Sequence, residues 1–152
     1  MSLQQNLIAM ERSREFYWLK HPSTSQLKLR WRAVTVRHCF HVLPGESILE
    51  IGAGSGLWTT HLAQVLRGES PITAAVFAPE FAKAGSQRNL PNTRFVCVTD
   101  LFSEFPPEGF DYVVGAAILC HNECLLNLRA LHRLLKPGGQ IFFFEQDRKS
   151  VV

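Results

Sequence analysis

Glu50, Gly52, Gly54 and Gly56 stand at alternate positions in ILEIGAGSGLWTTHLA, residues 48–63, after a β-branched run and directly before a helical pattern. A glycine leaving a strand permits a tight exit, a second lets a ligand approach bare backbone, and a third lets the next helix pack close. A dinucleotide site asks for G-x-G-x-x-G, whose third glycine would fall on Leu57. The E-x-G-x-G-x-G spacing differs, and it turns the reading away from a nicotinamide fingerprint. A second cluster, CHNEC at 120–124, offers Cys120, His121 and Cys124. A zinc site needs a fourth convergent ligand that nothing nearby supplies, so no metal is expected.

The glycine turn must be held at the end of a strand, and the chain beyond Pro44 provides an alternation that does this. SILEIG, PITAAVF, TRFVCVTD, FDYVVGAA and QIFFFEQ read as strands, with LWTTHLAQVLR, PEFAKAGSQRN and NECLLNLRALHRLL as helices between them. Near-continuous apolar strands alternating with helices indicate a parallel sheet covered on both faces. Right-handed crossovers then give an α/β, doubly wound sheet with helices on both faces, and ligands bind beyond the carboxyl ends of such strands. KPGG, 136–139, reads as a helix stop and turn. Before Pro44 the pattern is helical, broken at KHPSTS, where Ser23 or Thr24 can cap a second helix. In that helix Leu27, Trp31, Val34 and His38 share helical spacing, which predicts a packing role for Trp31. Phe16 to Trp18 are expected to pack on the sheet, the alternative being a lid over an acceptor that the N-terminal helices form with Tyr17, Trp18 and His21. Asp111, at the start of its strand and far from the ligand edge, is expected to be structural.

The 152 residues suit one domain. The net charge of +3 is uneven: seven bases precede Pro44 against Glu11 and Glu15 alone. The bases show no tight cluster, so a solvated helix face is expected and nucleic acid is disfavoured as a partner. No apolar run reaches the length of a membrane span, and the polar first residues lack a secretory pattern; the expected location is the cytoplasm. Four cysteines without a CxxC spacing read as reduced thiols.

ILEIGAGSG resembles the first motif of the class I S-adenosylmethionine-dependent methyltransferases. VCVTDLFSEFP, FDYVVGAAILCH and LLKPGGQIFFFE resemble that family's later segments, in the same order and at matching distances. The likeness covers about Pro44 to Gln146 and implies a Rossmann-like fold with S-adenosyl-L-methionine as cofactor. It implies that Glu50 and the turn Gly52, Ala53, Gly54, Ser55 and Gly56 border the methionine end, ribose and sulfonium side. Asp100 would accept from the adenine amino group beside the Leu101 backbone, and Gly115 and Ala116 would supply carbonyls near the amino group. Capping a turn is the less favoured alternative for Asp100. His121, with Cys120 and Asn122, follows strand four on the ligand edge. It is the candidate base where the acceptor carries a proton, a helix-start histidine without a chemical role being the alternative.

The family usually ends strand two with an acid that grips the ribose hydroxyls, whereas this chain has Val76 or Phe77 there. Either Glu80 reaches back, or Phe77 packs on the adenosine. The resemblance also implies a further helix and antiparallel hairpin after strand five, so the chain is expected to lack the usual C-terminal strands. Its last six residues are what GAT CGG AAG AGC GTC GTG encodes, a string matching a common sequencing adapter. The expected organisation is therefore a helical segment at 1–43 that could form a lid, a cofactor-binding core at 44–146, and a non-native tail at 147–152. The expected function is methyl transfer to a small-molecule, lipid or glycan acceptor. The alternative is a non-catalytic binding or scaffold module of the same fold.

Overall fold

The computed structural model describes residues 2–116 and 124–145. Helices α1 (Leu3–Lys20) and α2 (Pro22–Phe40) precede an alternation of β1 (Ile48–Ile51), α3 (Leu57–Val65), β2 (Ile72–Val76), α4 (Pro79–Ser86) and β3 (Thr93–Cys97). It continues through α5 (Leu101–Glu104), β4 (Phe110–Ala116), α6 (Cys124–Leu134) and β5 (Leu135–Phe144). The five strands are parallel in the order β3-β2-β1-β4-β5, which is the expected doubly wound α/β sheet.

Strand alternation divides the core. Ile48, Ile72, Tyr112 and Val114 face α2 and α3 through Leu29, Ala33, Val36, Phe40, Trp58 and Leu62. Leu49, Ile51, Ala75 and Val113 face the other way, against Phe105, Leu131 and Leu134. Burying both faces is what makes these strands read as continuous apolar runs. α2 contributes Leu29, Ala33, Val36 and Phe40 to this core.

Several local expectations are corrected. The buried stripe of α2 is Ser25, Leu29, Ala33, Val36 and Phe40, whereas Leu27 and Trp31 are 73% and 64% exposed. The period is helical as expected but its phase is displaced, because small residues let α2 lie close on α3. Trp31 only borders the Phe144 ring, at 6.0 Å between centroids. Neither Ser23 nor Thr24 caps α2; His21 precedes it without a side-chain cap, and Pro22 takes the first turn, where a missing N–H costs nothing. Of Phe16, Tyr17 and Trp18, only Trp18 is buried. KPGG does end α6, but it lies within β5 as a bulge: Phe110 pairs Leu135 and Tyr112 pairs Gln140. Gly139 is required there, since a Cβ would stand 2.9 Å from the Asp111 and Lys136 carbonyl oxygens.

Asp111 is structural. Its Oδ2 accepts from Ser47 N (2.7 Å) and Lys136 Nζ (3.1 Å), joining β4 to the entry of β1 and to the bulge.

Candidate cofactor site

β1 and β4 are neighbours, but the chain leaves β1 toward β2 on one side and β4 toward β5 on the other. Their carboxyl ends therefore part around a crevice. The glycine turn lines it. Gly52 and Gly54 have φ of +68° and +58°, and Gly56 at +91° opens α3. Ala53 N donates to the Ala75 carbonyl at 3.0 Å and ties the turn to β2.

α1 lies across this edge of the sheet, one strand end after another. Gln4 Nε2 donates to the Val98 carbonyl beyond β3 at 3.1 Å. Glu11 Oε2 accepts from Phe77 N beyond β2 at 3.0 Å, and Oε1 accepts from Gly54 N at 3.0 Å. Glu15 Oε1 accepts from Ser55 N at 3.3 Å and from Ser55 Oγ. Arg14 donates through Nη1 to the Ala116 carbonyl at the end of β4, at 2.7 Å, and through Nη2 to the Gly52 carbonyl. Glu11, Arg14, Glu15 and Trp18 are spaced i, i+3, i+4 and i+7, so one helix face carries all four. The expected solvated basic face holds for Arg12, Lys20, Lys28, Arg30 and Arg37, which are exposed, whereas Arg14 and Arg32 are half-buried. The acids Glu11 and Glu15 are buried at 0% and 4% exposure. The Arg14 guanidinium lies 4.6 Å above the Trp18 ring, within cation–π range.

This cluster is electrostatically tense. Burial raises the Glu11 carboxyl above its ordinary range, against the pull of the Phe77 and Gly54 N–H groups and of Arg14. Burial likewise lowers Arg14, which Glu11, Glu50 and Glu15 oppose. Glu50, on the α3 face of β1, accepts from Thr59 Oγ1 at 2.6 Å. Burial pushes its carboxyl up to about 7, with Thr59 and Arg14 pulling the other way.

The site residues expected from sequence divide into three groups. Gly52, Gly54, Ser55, Phe77 and Ala116 come together around the charged face of α1. Glu50, Ala53, Gly56 and Gly115 form the adjoining frame, with Gly115 paired between Ile51 and Phe143. Asp100 and Leu101 lie farther along the edge, after β3. Glu104 Oε1 fixes that turn by accepting from Thr99 N, Thr99 Oγ1 and Asp100 N at 2.6, 2.9 and 3.0 Å. His121, Cys120 and Asn122 lie outside the described residues.

Glu80 accepts from Arg12 at 2.9 Å (Nε) and 2.5 Å (Nη2) on the exposed side of α4. Its own backbone N–H and Arg12 hold its carboxyl below the usual range. The carboxylate that meets the end of β2 is Glu11. Sequence reasoning missed Glu11, Arg14 and Glu15, although their spacing with Trp18 is a one-face signal.

Unlike groups meet throughout: carboxylates on N–H donors, a guanidinium on carbonyls. The backbone donors at Gly54, Ser55 and Phe77 suit a carboxylate and hydroxyls, and the carbonyls of Gly52 and Ala116 suit an ammonium. A cavity of about 570 Å³ opens beside α1, toward α2 and the end of β5. Arg14, Trp18, Lys28, Arg32 and Phe144 are among its walls.

Residues 48–139 match the family described as methyltransferase domain. The demethylmenaquinone methyltransferase of Lysinibacillus sphaericus is 27% identical over 129 residues, 83% of this chain and 55% of that protein. The chain thus spans about half the length of the curated relatives it matches. Among solved structures, a SAM-dependent methyltransferase from Aquifex aeolicus superposes with a TM-score of 0.65 at 18% identity, over 79% of this chain and 68% of that one. The CurJ carbon methyltransferase superposes with a TM-score of 0.71 at 20% identity, over 83% and 36%. At these identities the two structures establish the shared fold.

Proposed function

This chain belongs to the class I S-adenosylmethionine-dependent methyltransferase family, and from that premise we propose that it transfers a methyl group to a small-molecule acceptor of quinol type. When bound, the cofactor supplies an electrophilic methyl on a cationic sulfur, open to in-line displacement. The chain's own task is then to position and to exclude water. The observation that carries the reading is the convergence of Gly54 N, Ser55 N and Phe77 N with the carbonyls of Gly52 and Ala116 at one crevice. Such backbone donors and acceptors suit a zwitterion and a ribose.

The acceptor class is supported by the curated relatives and by the cavity beside α1. Phe144 of β5 offers an apolar face to a planar ring, and Lys28 and Arg32 of α2 suit an oxygen that gains negative charge as its proton leaves. His121 is the base we assign to that proton.

Calorimetric titration tests the cofactor half. S-adenosylmethionine and S-adenosylhomocysteine are expected to bind in the micromolar range while NAD gives no heat. Transfer of labelled methyl to a demethylated naphthoquinol tests the acceptor half. The second reading, a non-catalytic module of the same fold, draws on one observation: the carboxylate of Glu80 is engaged by Arg12 and β2 ends without an acid. A folded chain that binds neither S-adenosyl compound would select it.

A further inference from the structure

The charged face of α1 engages, group by group, the backbone atoms that a cofactor would use. Glu11 holds the N–H groups of Gly54 and Phe77, Glu15 holds that of Ser55, and Arg14 holds the carbonyls of Gly52 and Ala116. Each partner is of opposite polarity, as a ligand's carboxylate, hydroxyls and ammonium would be. The space is filled as well as the hydrogen bonds: Glu15 Oε2 lies 2.5 Å from where a Cβ on Gly54 would be. A ligand lying against the bare backbone of Gly54 would meet that carboxylate. We infer that α1 is an intramolecular competitor for the cofactor crevice, and that Glu11, Arg14 and Glu15 set cofactor affinity by their release. This inference rests on the cofactor reading given above.

Three features make the docked helix releasable. First, its polar seal is incomplete: Arg14 Nε and Glu15 Oε2 are buried without a hydrogen-bond partner, which disfavours the docked state. Second, α1 has a thin apolar anchor. Trp18 is buried and Leu7 and Ile8 are partly so, while Phe16, Tyr17 and Leu19 stay exposed. Third, α1 and α2 meet at one non-helical residue, His21 (φ −123°, ψ 63°), followed by Pro22. α2 is fixed to the core by Leu29, Ala33, Val36 and Phe40, so α1 can swing about that joint while α2 stays packed. The capping box of Ser2 and Gln5 keeps the released segment helical at its start.

The test uses the full chain and S-adenosylhomocysteine as the probe. Amide hydrogen exchange on the unsubstituted chain is expected to show residues 3–20 losing protection on saturation, while 52–56 keep theirs. Calorimetry on the Arg14→Ala/Glu15→Ala double variant is expected to show at least tenfold tighter binding than the unsubstituted chain. Binding with α1 still protected would overturn the inference, as would binding by the folded variant that is equal or weaker; both would leave the cofactor reading intact. If neither chain binds although exchange shows α1 released in the variant, the cofactor reading itself fails and the competition falls with it. The exchange experiment needs no substitution, so a variant that fails to fold does not remove the test.

Discussion

Glu50 is sealed between β1 and the first turn of α3, and burial raises its carboxyl to about 7. A carboxyl whose pKa is higher in the folded than in the unfolded chain stabilises the fold most fully when protonated. Stability linked to Glu50 is therefore present below the unfolded value near 4.5 and is lost as pH rises to about 7. The size is on the order of 3 kcal/mol at 1.36 kcal/mol per pKa unit. Glu50→Gln keeps an acceptor for Thr59 Oγ1 and removes the charge. Urea denaturation of this variant should show a flatter pH dependence between 4.5 and 7 and a gain in stability at pH 8. Residue types alone made Glu50 and the alternate glycines legible, because their spacing is local. Glu11, Arg14 and Glu15 were hidden for the opposite reason. Their partners are backbone atoms 38 to 102 positions away, and charged residues on a helix are normally solvated.

At the scale of elements, α4 packs on β3 through a single missing side chain. A Cβ on Gly85 would overlap the Phe95 ring as far in as its Cγ. Phe95 also closes over Gly56, its Cζ lying 2.7 Å from where a Cβ on that glycine would stand. Gly85→Ala gains up to about 1 kcal/mol of helix propensity but forces the ring to move, at about 1–3 kcal/mol. A net loss of stability is expected, read as a lower urea midpoint with unchanged slope. The strands and the order of the elements were readable because a two-faced sheet writes apolar runs into its sequence. The phase of α2 was not, since Leu27 and Leu29, or Trp31 and Ala33, present equivalent periodicities and only the partner surface chooses between them. The β5 bulge escaped the reading for a related reason: Pro-Gly-Gly signals a turn whether or not the residues on either side stay paired to β4.

For the whole molecule, the proposed competition puts cofactor binding and helix docking in one crevice, so ligand stabilisation and α1 release would enter one equilibrium. A ligand at one hundred times its apparent Kd stabilises the fold by about 2.7 kcal/mol. For a chain of this size that corresponds to roughly 5–11 °C in Tm. S-adenosylhomocysteine should produce such a shift in a thermal scan, and NAD at the same concentration should leave Tm unchanged. A chain that spans about half of its curated relatives still has the five parallel strands in the order β3-β2-β1-β4-β5. The methyltransferase-domain match at 48–139 begins at β1 and so leaves out α1, the element that lies across the glycine-turn edge of the sheet here.

The three tryptophans sit in three different environments. Trp58 is sealed in the core, Trp31 faces solvent, and Trp18 lies buried beneath the Arg14 guanidinium. Trp18 belongs to α1 itself, so its surroundings change wherever that helix goes. Indole emission is sensitive to hydration and to a nearby cation, so the chain carries its own optical reporter. A red shift that saturates with added nucleoside would follow the swing of the helix in real time, without a label.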